Sequence, residues 1–87
     1  MRTKKSLGQH FLNSTQIIDD IVSASGTTKA DTVLEIGPGE GILTGSLLST
    51  GARVIAVEKD DRLIPFLQKK FLPEMARKQF ELVHADI

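Results

Sequence analysis

Three glycines and two acidic residues have the types and the spacing that a ligand-binding site requires. Gly37, Gly39 and Gly41 alternate in the stretch GPGEG, directly after an apolar run. Glu58 and Asp86 stand at or near the ends of two later apolar runs. An ordinary tight turn needs one or two glycines, so three indicate that the backbone lies very close to another group. A turn without a ligand and solvated strand ends are the alternative interpretations.

Helical and strand patterns alternate along the chain and position these five residues. Apolar residues at helical spacing, and short apolar runs bounded by glycine or polar residues, predict three helices and three strands. The predicted segments are a polar arm over 1–12, a helix over 13–26, a strand over 32–36, a helix over 41–51, a strand over 53–58, a helix over 60–71, a connector over 72–79 and a strand over 80–87. This alternation predicts an α/β fold with a parallel sheet.

Individual residues mark the ends of the predicted helices. Asn13 is suited to cap the first helix, and Gln16 would complete a capping box. Asp60 and Asp61 are expected in the first turn of the third helix, where acids suit the helix dipole. Pro65 lies close enough to the start of that helix to be tolerated, or it kinks the helix.

The glycines and the acids are expected at one edge of the sheet. Open α/β sheets bind ligands at the carboxyl ends of their strands, and a helix that begins there offers unpaired N–H groups. Glu58 is suited to accept hydrogen bonds from the two hydroxyls of a ribose, which NAD and S-adenosylmethionine both carry. The dinucleotide fingerprint G-x-G-x-x-G requires a glycine at position 42, which is Ile42. The G-x-G-x-G spacing therefore favours a methyltransferase loop, and a nicotinamide-dependent oxidoreductase is the alternative.

Composition and charge narrow the class of protein. The 87 residues allow one domain, and 11 basic against 11 acidic residues give a net charge of zero, which offers no overall electrostatic argument for nucleic acid. Cysteine is absent, which excludes disulfides and thiolate metal sites, and we expect no metal. No apolar run approaches the roughly 20 residues of a membrane span, and the first residues lack an apolar signal core. We expect a cytoplasmic protein without membrane contact, and a transit peptide is the weaker alternative.

Four motifs, in order and at the expected intervals, resemble one known family. They read KKSLGQHFLNS, VLEIGPGEGILT, VIAVEKD and LVHADI, and together they are similar to the N-terminal part of the ribosomal RNA adenine dimethyltransferases. The resemblance implies a class I methyltransferase sheet, Rossmann-like, with flanking helices. It also implies dimethylation of adenosine N6 in ribosomal RNA, S-adenosylmethionine as methyl donor, and ribosomal RNA or a pre-ribosomal subunit as partner. His10, where many relatives have Asn, favours the small-subunit branch of the family.

The same resemblance implies a part in donor binding for nine residues. These are His10, Leu12, Gly37, Gly39, Gly41, Glu58, Lys59, Asp86 and Ile87. The two arm residues would close over the methionine end of the donor, and the glycines would contact it through their backbone. Glu58 would bind the ribose. Asp86 would take the adenine amino group, with Lys59 and Ile87 bordering the adenine.

The catalytic segment of the family is expected downstream of Ile87. That segment, Asn-(Leu/Ile)-Pro-(Tyr/Phe), holds the target amino group and stacks the flipped base. The chain contains neither Tyr nor Trp. Residues 1–87 are therefore expected to be the N-terminal part of a donor-binding domain, with an arm over 1–12 and a βαβαβ core over 13–87, truncated after the third strand. A non-catalytic RNA-binding or ribosome-assembly module remains an alternative.

Other polar residues have structural explanations beside functional ones. Glu35 lies within an apolar strand, so its charge must be paired, either to support the site or to maintain the fold. His84 is expected to be a packed or surface histidine. Arg2, Lys4 and Lys5 either contact RNA phosphates or are simply solvated.

Overall fold

The computed structural model describes residues 15–87, which form four helices and one sheet of three strands. The helices are α1 (Thr15–Ser25), α2 (Ile42–Ser49), α3 (Leu63–Lys70) and α4 (Leu72–Ala76), and the strands are β1 (Thr32–Ile36), β2 (Arg53–Glu58) and β3 (Phe80–His84). Each strand begins where the apolar runs predict it, and β3 ends three residues earlier than predicted. The α/β class is confirmed. Asn13, and with it the predicted capping box, lies outside the described residues.

The three strands are parallel and lie in the order β1-β2-β3. Val33 of β1 is paired with Val54 of β2, and Val54 is paired with Phe80 of β3. The carboxyl ends of all three strands therefore meet at one edge of the sheet. This is the edge at which the sequence places the glycines and the acids.

One face of the sheet carries the hydrophobic core. Because side chains alternate along a strand, the in-register residues Val33, Val54 and Phe80 share a face with Ala56 and Leu82. All five belong to one hydrophobic cluster with side chains from the four helices. The helical members of the cluster include Val22, Leu47, Leu48, Leu67 and Met75. The described helices thus cover this face.

The opposite face of the sheet carries exposed apolar side chains on β1 and β3, whereas Val57 of β2 on the same face is buried. Leu34 is 63% exposed, Ile36 is 56% exposed and Val83 is 36% exposed. β1 is also an edge strand of the described sheet, with no strand paired on its outer side. An apolar edge of this kind favours association with other chains.

Two predictions about the segment between β2 and β3 were wrong. α3 begins at Leu63, so Asp60 and Asp61 precede it and do not lie in its first turn. The reason is a local turn, in which the Asp60 carboxylate accepts the Arg62 N–H at 2.9 Å and the Asp60 carbonyl accepts the Leu63 N–H at 3.0 Å. The predicted connector contains α4, in which Pro73 stands in the first turn, where a helix needs no N–H donor.

The remaining predictions about helices agree with the structure. α3 continues through Pro65, its third residue, as expected for a proline near a helix start. Gly26 directly follows the last residue of α1, and Gly51 follows α2 after one intervening residue, Thr50. Within residues 15–87, no helix has the length and apolar character needed to cross a membrane.

Candidate functional site

The glycine loop, residues 37–41, connects β1 to α2 through a left-handed backbone. Gly37, Gly39 and Gly41 have φ angles of 69°, 59° and 87°, which side-chain-bearing residues rarely adopt. A Cβ atom on Gly37 or Gly39 would meet no heavy atom within 4 Å, so both residues face open space. A Cβ atom on Gly41 would lie 2.7 Å from Cε2 of Phe71. Two glycines therefore leave the backbone accessible to a ligand, and the third allows close packing within the chain.

Glu58 ties the glycine loop to the segment that follows β2. Its side chain is buried, with 6% exposure. Oε2 accepts the Asp60 N–H at 2.9 Å, and Oε1 accepts the Gly39 N–H in a longer contact of 3.4 Å. Buried charge requires such partners. Because a carboxylate can accept about four hydrogen bonds, Glu58 retains capacity for further donors.

A cleft of about 180 Å³ lies between the glycine loop and the ends of β2 and β3. The Ala85 N–H donates to the Glu58 carbonyl at 3.1 Å and holds the end of β3 beside the end of β2. Five of the predicted site residues line this cleft. They are Gly37, Glu58, Lys59, Asp86 and Ile87.

A second cleft of about 520 Å³ lies on the α1 side of the loop and includes Gly37, Gly39 and Glu35 in its lining. The buried Thr44 hydroxyl donates to Oε1 of Glu35 at 2.5 Å. Burial raises the pKa of the Glu35 carboxyl, and the hydrogen bond from Thr44 acts in the opposite direction. Glu35 therefore has a hydrogen-bond partner, as its place in an apolar strand requires, but that partner is the neutral hydroxyl of Thr44 and not an opposite charge.

The structure brings together six of the nine predicted residues along these two clefts, on either side of Gly37. Gly41 belongs to the loop but lines neither of these clefts, and it lies against Phe71. His10 and Leu12 lie outside the described residues. Their roles in binding a donor, like those of the other seven, stay predictions.

Three residues at the site were not identified from the sequence. Ile36 lines both clefts, and Thr44 bonds Glu35. Lys70 bonds the glycine loop from the end of α3. Ile36 directly precedes the first glycine of the loop, and this position is a sequence signal that could have identified it as a site residue. Nothing in the sequence links Lys70 to a loop 30 residues away.

His84 is a surface residue, as expected. Its Nε2 atom lies 2.8 Å from Oδ1 of Asp61, and about half of its side chain is exposed. The pair joins the end of β3 to the turn before α3. Within residues 15–87, no three His, Asp or Glu side chains are grouped to hold a metal ion.

The ribosomal RNA adenine dimethylase family model matches residues 1–87 of the chain. The ribosomal RNA small subunit methyltransferase A of Dehalococcoides mccartyi is 45% identical over 87 residues, which are 100% of this chain and 29% of that protein. The protein of the same name from Caulobacter vibrioides is 46% identical over 83 residues, 95% of this chain and 31% of that protein. The chain thus spans about a third of the length of these curated relatives.

Solved structures of methyltransferases share the fold. The 23S rRNA methyltransferase ErmE superposes with a TM-score of 0.72 at 34% identity, over 87% of this chain and 30% of that one. A dimethyladenosine transferase from Plasmodium falciparum gives a TM-score of 0.68 at 37% identity, over 82% and 26%. An RNA methyltransferase from Salinibacter ruber, in complex with S-adenosyl-L-homocysteine, gives a TM-score of 0.73 at 19% identity, over 85% and 49%. The predicted Rossmann-like methyltransferase fold is confirmed.

Proposed function

Since the chain belongs to the ribosomal RNA adenine dimethylase family, we propose that it supplies the methyl-donor site of an enzyme that dimethylates adenosine N6 in ribosomal RNA. The donor is S-adenosylmethionine, which supplies an activated methyl group. The single observation that supports this proposal most strongly is the cleft in which Gly37 faces Glu58 and Asp86 at the carboxyl edge of the sheet.

The residues present fit a ligand with a ribose, a base and an amino-acid end. Two accessible glycines, Gly37 and Gly39, border open space where a side chain would intrude. Glu58 is anchored by the Asp60 N–H and keeps acceptor capacity for ribose hydroxyls. Asp86 is an exposed acceptor in the same cleft, suited to an amino group on a base.

The remaining predicted residues complete the proposed site. Lys59 and Ile87 border the base next to Asp86, and Ile87 offers apolar surface because it is 81% exposed. Gly41 fixes the position of the loop through its contact with Phe71. His10 and Leu12 would close over the amino-acid end, a role that rests on the family resemblance alone.

The motifs of this chain do not include the segment that would hold the target adenosine. Residues 1–87 contain no Asn-(Leu/Ile)-Pro-(Tyr/Phe) segment, and they match 29% of the length of the Dehalococcoides relative. We therefore assign donor binding to this chain and place the contact with the target adenosine in further sequence of the enzyme. The small ribosomal subunit is the favoured source of the target, given the relatives named for it and His10.

A methyl-transfer assay tests the proposal. The protein encoded by the complete gene is incubated with radiolabelled S-adenosylmethionine and unmodified ribosomal RNA. The RNA comes from the small or the large subunit, and each is supplied either as free RNA or as ribosomal particles. Nuclease digestion should release labelled N6,N6-dimethyladenosine from the small-subunit samples. Label in the large-subunit samples alone would show that the enzyme acts on large-subunit ribosomal RNA and does not belong to the small-subunit branch of the family. Donor binding without label in any sample would favour the non-catalytic RNA-binding module.

The nicotinamide-dependent alternative has little support, because Ile42 begins α2 where the dinucleotide fingerprint requires its third glycine. We also propose a cytoplasmic location for the protein. A fluorescent fusion would test this location, and localisation to an organelle would favour the transit-peptide alternative.

A further inference from the structure

Lys70, the last residue of α3, holds the glycine loop from behind. Its Nζ atom donates to the backbone carbonyl of Glu40 at 2.7 Å, across 30 residues of sequence. Glu40 lies between Gly39 and Gly41, so the bond is made within the loop itself. No other donor among residues 15–87 bonds this carbonyl.

Two aromatic rings orient the Lys70 ammonium group. Nζ lies 5.7 Å from the centroid of the Phe66 ring and 5.5 Å from that of the Phe71 ring. Both distances fall within the range of cation–π attraction. The Phe71 ring also packs against Gly41. The end of α3 therefore holds two successive loop residues, Glu40 through a hydrogen bond and Gly41 through ring packing.

The helix dipole does not account for this arrangement. Lys69 and Lys70 both lie in the last turn of α3, where either cation would interact favourably with the helix end. Only Lys70 reaches the loop. Lys69 makes no hydrogen bond or ion pair with any of residues 15–87. The contact with Glu40 is thus specific to one of two adjacent lysines.

We propose that Lys70 is a positioning residue that fixes the backbone of the glycine loop and thereby sets the affinity for S-adenosylmethionine. The second half of this inference rests on the proposed function. Lys70 does not line either cleft at the strand ends, so it acts through the Glu40 carbonyl and not by touching the donor. A loop whose backbone must accept a ligand benefits from being held in place before binding.

Three variants of the protein encoded by the gene separate this role from simple stability. Lys70→Met keeps the length and the apolar stem but removes the donor, and Lys70→Arg retains a donor and ring stacking. Lys69→Met is the matched control for charge and helix dipole. The first measurement is amide hydrogen exchange of the free protein. The Gly41 N–H, which donates to the Pro38 carbonyl at 2.9 Å, reports on loop opening.

The expected result is a graded series. Lys70→Met should accelerate exchange at Gly39 and Gly41 and weaken S-adenosylmethionine binding by roughly 3- to 10-fold, the effect of losing one net hydrogen bond. Lys70→Arg should restore both readouts, and Lys69→Met should leave both unchanged. Far-ultraviolet circular dichroism should be the same for all three variants.

Other results separate the two proposals. Equal loop exchange in Lys70→Met and Lys69→Met would overturn the positioning role, whatever happens to donor binding. Faster exchange with unchanged donor affinity would overturn the link from loop to donor. If the unaltered protein fails to bind S-adenosylmethionine while Lys70→Met still loosens the loop, the proposed function and the link to the donor both fail. Only the positioning of the glycine loop by Lys70 would then be supported.

Discussion

Gly41 lies against Phe71 so closely that a methyl group on Gly41 would be 2.7 Å from Cε2 and 3.0 Å from Cζ of the ring. Gly37 and Gly39, four and two residues earlier, have no such neighbour within 4 Å. The three alternating glycines therefore answer two different requirements. One allows α3 to pack against the loop, and two keep the outer surface of the loop open.

Because Gly39 and Gly41 meet different requirements, replacing each of them by alanine should lower the free energy of unfolding by different amounts. Gly39→Ala adds a side chain at positive φ in open space, and we expect it to cost about 1–2 kcal/mol. Gly41→Ala adds the same strain and also overpacks the contact with Phe71, for a total of about 2–5 kcal/mol. Urea denaturation of the two variants measures the difference. Equal losses would show that the ring moves aside without cost.

Glu58 is predicted to contribute to donor affinity. Glu58→Gln retains the side-chain volume but removes the charge that would accept the ribose hydroxyls. We expect a loss of roughly 1.5–3 kcal/mol, or about 10- to 100-fold in the dissociation constant of S-adenosylmethionine. Glu81→Gln, in the exposed pair with Arg53, is the control and should change nothing. An unchanged dissociation constant in a folded Glu58→Gln protein would remove Glu58 from the site.

Glu35 is predicted to make stability depend on pH. Because burial raises its pKa in the folded protein, the folded state holds this proton more tightly than the unfolded chain does. The stability contributed by protonated Glu35 is fully present below the ordinary pKa of 4.5 and is lost as the pH rises through the raised value. Glu35→Gln removes this dependence and can still accept the Thr44 hydroxyl.

Thermal melts across this pH range test the expectation. The melting temperature of the unaltered protein, relative to that of Glu35→Gln, should fall as the pH rises above the ordinary carboxyl pKa of 4.5. A constant difference between the two proteins over that range would contradict the assigned shift in pKa. Glu81→Gln is again the control, since Glu81 is an exposed residue.

The strands were predictable from the sequence because each is a short apolar run bounded by glycine or polar residues. The glycine loop and the acids could be placed at one edge, since parallel strands align their carboxyl ends there. α4 was missed because five residues that begin Leu72-Pro73 give too short a pattern to distinguish a helix from a connector. The contacts of Gly41 with Phe71 and of Lys70 with Glu40 depend on how α3 packs, which no local pattern specifies.

The exposed apolar face predicts that residues 1–87 on their own self-associate. Leu34 and Ile36 are exposed on an edge strand, and a chain of this size buries only about 60–65% of its unfolded surface. We expect marginal stability and a sedimentation coefficient that rises with concentration, and no methyl transfer to ribosomal RNA. Leu34→Lys should reduce the association, because a charge on an edge strand opposes pairing. A monomer at all concentrations with a sharp melt above about 60 °C would contradict the expectation, since mesophilic domains melt at roughly 45–65 °C.

Calorimetric titration of the protein with S-adenosylmethionine, and in parallel with NAD, tests the central claim most directly. The account predicts saturable binding of S-adenosylmethionine and no binding of NAD. It also predicts that Gly39→Val loses donor binding, because a side chain there fills the open surface of the loop. The far-ultraviolet circular dichroism of Gly39→Val should stay near normal. Binding of NAD in place of S-adenosylmethionine, or unchanged binding in Gly39→Val, would contradict it.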